Sequence, residues 1–217
     1  MINIYFLPIL VLFTIFLVAM GIKRAASCGA FKIRRFSILL FALALLHYIS
    51  IIILMLSKNI LFLYTLKVFF YLNYLYIPFM AITAVYIIVR KDNIKFINII
   101  YIFVLLTCIY SYIMVTFVNN LILYRNLAYI MYLHNHEFIF LFILLINIFF
   151  LLLGLAFLKK GNIEKLGAYL VVLASLIAVY EILLVLLGKS IFQENIISDF
   201  IWIITFVHTL KQLRKNN

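Results

Sequence analysis

Long apolar runs separated by short polar breaks dominate the pattern of this chain. The runs are continuous in Leu, Ile, Phe and Val and do not alternate between polar and apolar positions, as the strands of a membrane barrel would. A helix needs about 20 residues to cross a hydrocarbon core of about 30 Å, and the runs have that length. We therefore predict seven transmembrane helices, at residues 2–22, 36–57, 67–89, 94–118, 138–158, 166–187 and 196–213.

Composition supports the same picture and excludes a soluble domain. Of the 217 residues, 69% are hydrophobic and 11% are charged, whereas soluble domains are roughly 45–50% apolar. The predicted fold class is all-α, a polytopic bundle forming one domain over residues 1–217. The first span is expected to be retained, because Lys23 and Arg24 follow its apolar run, whereas a cleavable signal peptide carries its positive charge before that run.

The distribution of basic residues predicts the orientation of the bundle. Fourteen of the 18 Lys and Arg residues lie in the first, third and fifth connections and the C-terminal tail, and four lie elsewhere. Positive charge is enriched in cytoplasmic connections, so we expect the N-terminus outside and the C-terminus in the cytoplasm. The same clustering accounts for the net charge of +12 without a nucleic-acid partner.

Two connections on the predicted outer side are longer than a turn requires. Residues 59–66 extend the third apolar run beyond one crossing, so an outer turn is expected there. Residues 119–137 mix Tyr, Leu and Ile with Arg125, His134 and His136, and we interpret them as an amphipathic segment in the outer interface. The two histidines do not have the spacing of a known zinc signature, so no metal site is predicted.

Ionisable side chains at membrane depth are candidate functional residues, because a charge in hydrocarbon is costly. His47 lies near the centre of the second span, and Glu181 lies about 9 Å inside the outer boundary of the sixth. Lys67 and Asp199 open the third and seventh spans from the outside. For Asp199, helix capping is favoured over chemistry, because an acidic residue suits the N-terminus of a helix.

Helical spacing groups several of these residues on two faces, one polar and one of small residues. The first face, on the third span, comprises Lys67, Tyr71, Tyr74 and Pro78. The second, on the sixth span, comprises Gly167, Ala174, Ala178 and Glu181. The small residues allow a neighbouring helix to approach closely, so Glu181 is expected to point into the bundle. Asn147 with Gly154, and likewise Asn73, predict interhelical hydrogen bonds and close packing.

These faces lead to a hypothesis of an outward-facing ligand pocket. Pro78 removes a backbone hydrogen bond and is the candidate hinge of the third span. A structural Lys67–Glu181 or His47–Glu181 contact, or a Lys67 that extends to the headgroups, explains the same residues without a ligand. The residues that would line the pocket are His47, Lys67, Tyr71, Tyr74 and Glu181.

Motifs of known enzymes are absent from the sequence. It contains no HExxH, no GxSxG and no glycine-rich phosphate loop. A membrane enzyme would instead need His47 and Glu181 within hydrogen-bond reach of a common substrate atom. We therefore predict that the protein is not an enzyme and needs no cofactor.

Residues 22–93 carry a resemblance to a known family. A basic first loop, IKRAASCGAFKIRR, precedes an apolar span, then the pattern Lys67-x3-Tyr71-x6-Pro78 and an aromatic-rich helix that ends at YIIVRKDN. This part resembles the N-terminal seven-transmembrane region of bacterial sensor histidine kinases. The resemblance implies a multi-pass sensory input domain in a bacterial inner or plasma membrane. Because the sequence contains no kinase domain, it also implies output through a separate kinase or other signalling protein.

The predicted function is that of a sensor in the lipid bilayer. It would bind an unidentified small ligand, or sense a membrane state, from the outer side and shift between two helix arrangements in which the third span moves. The alternative is a small transporter or permease subunit whose polar residues line a path. Polar residues over the full depth would favour transport, whereas the inner halves of spans three to six are almost wholly apolar.

Overall fold

The computed structural model describes residues 2–57, 59–89, 96–124, 128–133, 137–160, 164–189 and 195–215. Its helices are α1 (Ile2–Ala26), α2 (Phe31–Leu56), α3 (Ile60–Thr65), α4 (Lys67–Phe70), α5 (Asn73–Val89), α6 (Phe96–Thr116), α7 (Glu137–Leu158), α8 (Lys165–Leu186) and α9 (Ile196–Lys215). Its strands are β1 (Asn119–Tyr124) and β2 (Ala128–Leu133). Seven helical segments within these ranges are long and apolar enough to cross a membrane, which confirms the predicted number of spans and the class of multi-pass membrane protein.

The segment between α6 and α7, predicted as an amphipathic segment, forms an antiparallel β-hairpin within the otherwise helical bundle. Asn119 pairs with Leu133, and Tyr124 pairs with Ala128. Both strands are rich in Leu, Ile and Tyr, and Ile and Tyr are residue types that favour strands. Of the polar residues that suggested an amphipathic segment, Arg125, His134 and His136 lie outside the described residues.

The third span covers Lys67–Val89, as predicted, and contains a tight turn at Tyr71 and Leu72 that the sequence did not predict. The expected outer turn over residues 59–66 is instead the short helix α3, and α4 follows it after one residue. The helix tightens into a turn at Tyr71 and Leu72, where Tyr71 has φ −95° and ψ 14° and the Leu72 N–H donates to the Phe69 oxygen three residues before it. The Tyr74 backbone N–H is shared between the Tyr71 oxygen at 3.2 Å and the Asn73 side-chain oxygen at 3.0 Å. Lys67 and Tyr74 therefore lie on opposite sides of this turn.

Helix α5 is the central element of the bundle. Nearly three quarters of an apolar stretch of 18 residues within Lys67–Val89 is buried inside the protein, the largest share among the seven candidate spans. This helix contacts α2, α6, α7, α8 and α9. By contrast, α6 and α7 expose large apolar side chains such as Val104 and Leu145, a surface suited to hydrocarbon.

Small residues let α8 approach α7 closely, as the sequence predicts. A Cβ added at Gly154 would lie 2.7 Å from Cγ2 of Val172, so the two helices have no room for a larger residue there. On α8, Gly167, Ala174 and Ala178 are buried. This close packing fixes the position of the polar end of α8 relative to its neighbours.

The bundle has two chemically different ends. The hairpin, α3, α4 and the N-terminus of α9 lie at one of them, which we call the hairpin end, since β1 contacts α3 and β2 contacts α2. At the opposite end, the Arg35 guanidinium carbon lies 4.0 Å from the centroid of the Phe31 ring. Burial there raises the pKa of the Cys28 thiol, while the Ala30 backbone and the charge of Arg34 oppose that rise.

Candidate functional site

A small cavity lies at the hairpin end between α5, α7, α8 and α9. Its volume is about 20 Å³, measured as the space open to the centre of a water-sized sphere. One water occupies about 10–15 Å³ as a sphere, so a cavity with this much space for the centre of such a sphere has room for a guest of at least that size. Trp202, Pro78 and Phe150 are among its apolar lining residues. The polar lining residues are Asn73, Tyr74, Asn147, Asn195, Ser198 and Asp199.

Asp199 brings a carboxylate into the wall of this cavity. Its side chain is 3% exposed and accepts a hydrogen bond from Nδ2 of Asn73 at 3.2 Å. The charge of Glu181 also acts on it. No Lys or Arg in the described part of the chain forms an ion pair with either carboxylate. The local negative charge is therefore not balanced by a basic side chain of the described chain.

Glu181 does not line the cavity, because its carboxylate caps the N-terminus of α9. Oε1 accepts the backbone N–H of Ile197 at 3.3 Å, and Oε2 accepts that of Ser198 at 2.8 Å. The first backbone N–H groups of a helix have no partner within it, and the positive end of the helix dipole favours a carboxylate. Glu181 thus performs the capping role that the sequence analysis gave to Asp199.

This cap leaves the side chain of Asn195 without its usual role. Asn195 directly precedes α9, a position from which asparagine commonly accepts the N–H of the third helical residue. That residue is Ser198, whose N–H already donates to Glu181. Asn195 is 4% exposed, and its Oδ1 accepts no hydrogen bond from any described residue. Most buried side-chain oxygens are paired, so this one requires an explanation.

Lys67 is held at the end of a different helix. Its Nζ donates to the backbone oxygen of Met114 at 2.6 Å and also to that of Phe117. Both carbonyls lie at the C-terminus of α6, where the negative end of the helix dipole favours a cation. The suggested contact with Glu181 is therefore replaced by a cap on α6.

Tyr71 and His47 also lie apart from the cavity. The His47 ring is fully buried, with its centroid 5.0 Å from that of Tyr48 and 5.8 Å from that of Tyr76. Tyr71 stacks on Tyr74 with ring centroids 5.5 Å apart. Of the five residues predicted to share a pocket, Tyr74 is the one found in the cavity lining.

Two interhelical hydrogen bonds predicted from the sequence do shape the cavity. Asn73 donates to Asp199, and Oδ1 of Asn147 accepts the indole N–H of Trp202 at 3.3 Å. The sequence analysis did not identify Asn195 and Ser198 as site residues. The signal available for them was the cluster of capping residues at the start of the last span.

The side-chain hydrogen-bond acceptors of the cavity lining are all oxygen atoms. No cluster of three or more His, Cys, Asp or Glu residues that could hold a metal occurs among the residues the structure describes. Comparisons of the chain with protein-family models, with curated proteins and with solved structures gave no match.

Proposed function

We propose that this chain is a receptor-like membrane protein that admits a small polar solute or ion to the cavity from the outer side of a bacterial cell membrane. It passes the signal to a separate partner protein. The observation that carries the proposal is the buried Asp199 carboxylate beside a polar cavity, since an ionisable residue at membrane depth is costly to keep without a role. The resemblance of residues 22–93 to a sensory region agrees with it.

The placement of polar groups favours reception over passage. Toward the opposite end from the cavity, Phe41 of α2 packs on Phe206 of α9 with centroids 5.2 Å apart. Of the buried hydroxyls there, Thr205 donates to Ile201 at 2.8 Å and Thr209 donates to Phe206, whereas those of Ser37 and Thr83 have no partner among the described residues. A guest in the cavity meets mainly apolar packing below it. The excess of basic residues at the far end supports assigning the hairpin end to the outside.

The contacts of the cavity supply a route for the signal. Asn73 begins α5, and its partner Asp199 lies in the first turn of α9, so a guest acts on two helices at once. Pro78 lies in the same lining, and a proline cannot donate a hydrogen bond to the carbonyl four residues before it. Bending at this point would move α5 against the helices that it contacts.

A transporter is the second candidate, and one observation favours it. The helix of the third span has an irregular turn at Tyr71 and Leu72, next to the start of α5, and transporters commonly bind substrates beside irregular helical segments. The two functions differ in access. A receptor opens its cavity to one side of the membrane, whereas a transporter opens it to each side in turn.

Cysteine accessibility tests this difference. In a Cys28→Ser, Cys108→Ser background, Ser198→Cys places a thiol in the cavity, and Thr205→Cys provides a control two helical turns further along α9. Oriented membrane vesicles are exposed on either side to silver ion, a small thiol-reactive cation. The thiol that remains is then titrated with a maleimide after denaturation.

We expect protection of the cavity thiol by silver added on the outer side only, and no reaction of the control from either side. Reaction of the cavity thiol from both sides would replace the receptor proposal with transport. Reaction from neither side would remove a solute-accessible cavity and the receptor proposal with it.

A further inference from the structure

We propose that the cavity is a binding site for a single small monovalent cation of the Na⁺ type, with Asp199, Asn195 and Ser198 as oxygen ligands. The inference deepens the proposed function by naming the class of guest, and it rests on that function for access from the outer side. Three independent features of the cavity lead to it: the unused oxygen, the unbalanced charge and the volume.

The unused oxygen is Oδ1 of Asn195, a residue that lines the cavity. This oxygen is buried and has no hydrogen-bond donor among the described residues. The Ser198 hydroxyl donates its proton to the Asn195 backbone oxygen at 2.8 Å, so its oxygen lone pairs stay available as ligands. With the Asp199 carboxylate, the cavity presents carboxylate, amide and hydroxyl oxygens, which are the ligands that hard cations prefer.

The buried carboxylate of Asp199 favours a positive partner. A buried carboxylate is stable only when it is paired, protonated or bound to a cation. Glu181 is stabilised by two backbone N–H groups and by the α9 dipole, whereas Asp199 has one amide donor, from Asn73. No basic side chain of the described residues is paired with Asp199. A cation in the cavity would supply the missing charge.

The single carboxylate of the lining selects a monovalent ion. The space of about 20 Å³ open to the centre of a water-sized sphere gives room for one small ion, and Mg²⁺ carries two charges, which one carboxylate does not neutralise. Ca²⁺ takes 6–8 oxygen ligands, commonly from several carboxylates. Among the described lining residues, Asp199 provides the one carboxylate. Its single charge matches a single partly dehydrated monovalent cation.

Trp202 provides a direct readout, because it is the one tryptophan of the whole sequence and it lines the cavity. The purified full chain in lipid nanodiscs is titrated with NaCl at constant pH. NaCl replaces choline chloride step by step, so that the ionic strength stays constant. Tryptophan emission and the thermal unfolding midpoint are recorded. We expect a saturable change in emission and a rise in the midpoint.

Two variants and a matched control locate the effect. Asp199→Asn and Asn195→Ala are each expected to raise the half-saturating Na⁺ concentration by at least ~10-fold, the scale seen when groups supporting a metal site are lost. Asn119→Ala removes another buried asparagine whose side chain has no partner among the described residues, on the hairpin instead of the cavity, and should respond as the wild type does. If Asp199→Asn fails to fold, Asn195→Ala decides the test.

Four results would overturn the inference. The first is an emission change that choline chloride produces equally, and the second is an emission response to Ca²⁺ at concentrations where Na⁺ gives no response. The third is a Na⁺ response that the variants leave unaltered. The fourth is an emission that depends on pH but does not depend on Na⁺. The last result would place a proton at Asp199. If Na⁺ does not bind but silver reaches the cavity thiol from the outer side only, the protein remains a receptor with a different guest. If Na⁺ binds and silver reaches the thiol from both sides, the cation site belongs to a transporter.

Discussion

Removing the Glu181 cap should destabilise the start of α9 in a way that can be measured. In Glu181→Ala, two backbone N–H groups at Ile197 and Ser198 lose a charged acceptor at a half-buried position. Loss of an N-terminal cap costs about 0.5–2 kcal/mol, and the favourable helix-dipole contact adds about 0.3–1 kcal/mol. We expect a loss of about 2 kcal/mol in unfolding free energy. Glu181→Gln keeps one acceptor and should cost about half as much.

The assay is reversible unfolding of the purified protein in mixed micelles with increasing dodecyl sulfate, followed by Trp202 fluorescence. Trp202 lies on α9 itself, so its emission reports the helix that loses its cap. Glu137→Ala is the matched control. Glu137 is an exposed acidic residue in the first turn of α7, and its loss should cost a few tenths of a kcal/mol. Equal losses for Glu181→Ala and Glu137→Ala would refute the capping role.

Three further predictions concern other parts of the bundle. Lys67→Met should cost about 1–2 kcal/mol and speed amide exchange near the end of α6, and Lys67→Arg should restore most of both because it keeps a cation there. Gly154→Ala should destabilise by about 1–3 kcal/mol in the same unfolding assay, because its Cβ would meet Val172. In a Cys108→Ser background, Cys28 should react with iodoacetamide more slowly than a free thiol at neutral pH. Its rate should rise with pH, because burial raises its pKa and reduces the thiolate fraction.

The spans were predictable from the sequence because membrane length and continuous apolarity leave few alternatives. The interhelical roles of Asn73 and Asn147 were predictable for a similar reason, since a polar amide inside a bundle needs a partner. The capping roles of Lys67 and Glu181 were not predictable from the sequence. Each caps a helix other than its own, and such a contact depends on which helices are neighbours in space, which spacing along one helix does not reveal.

The hairpin and the turn within the third span escaped prediction because local preferences there conflict. The strand segments read NNLILY and AYIMYL, and their aromatic and aliphatic residues suit a membrane interface as well as they suit paired strands. In the third span, the helix tightens where the Asn73 side-chain oxygen shares the Tyr74 backbone N–H with a backbone carbonyl. Hydrophobic periodicity carries no information about such a bond.

The two caps have a consequence for how the chain is made. Lys67 precedes α6, and Glu181 precedes α9, so each capping side chain leaves the ribosome before the helix whose end it completes. Because synthesis runs from the N-terminus, the Lys67 donor is made before α6 and the Glu181 acceptor before α9. A newly inserted helix end, which apolar lipid would leave without hydrogen bonds, meets its partner on a helix that has already entered the bilayer.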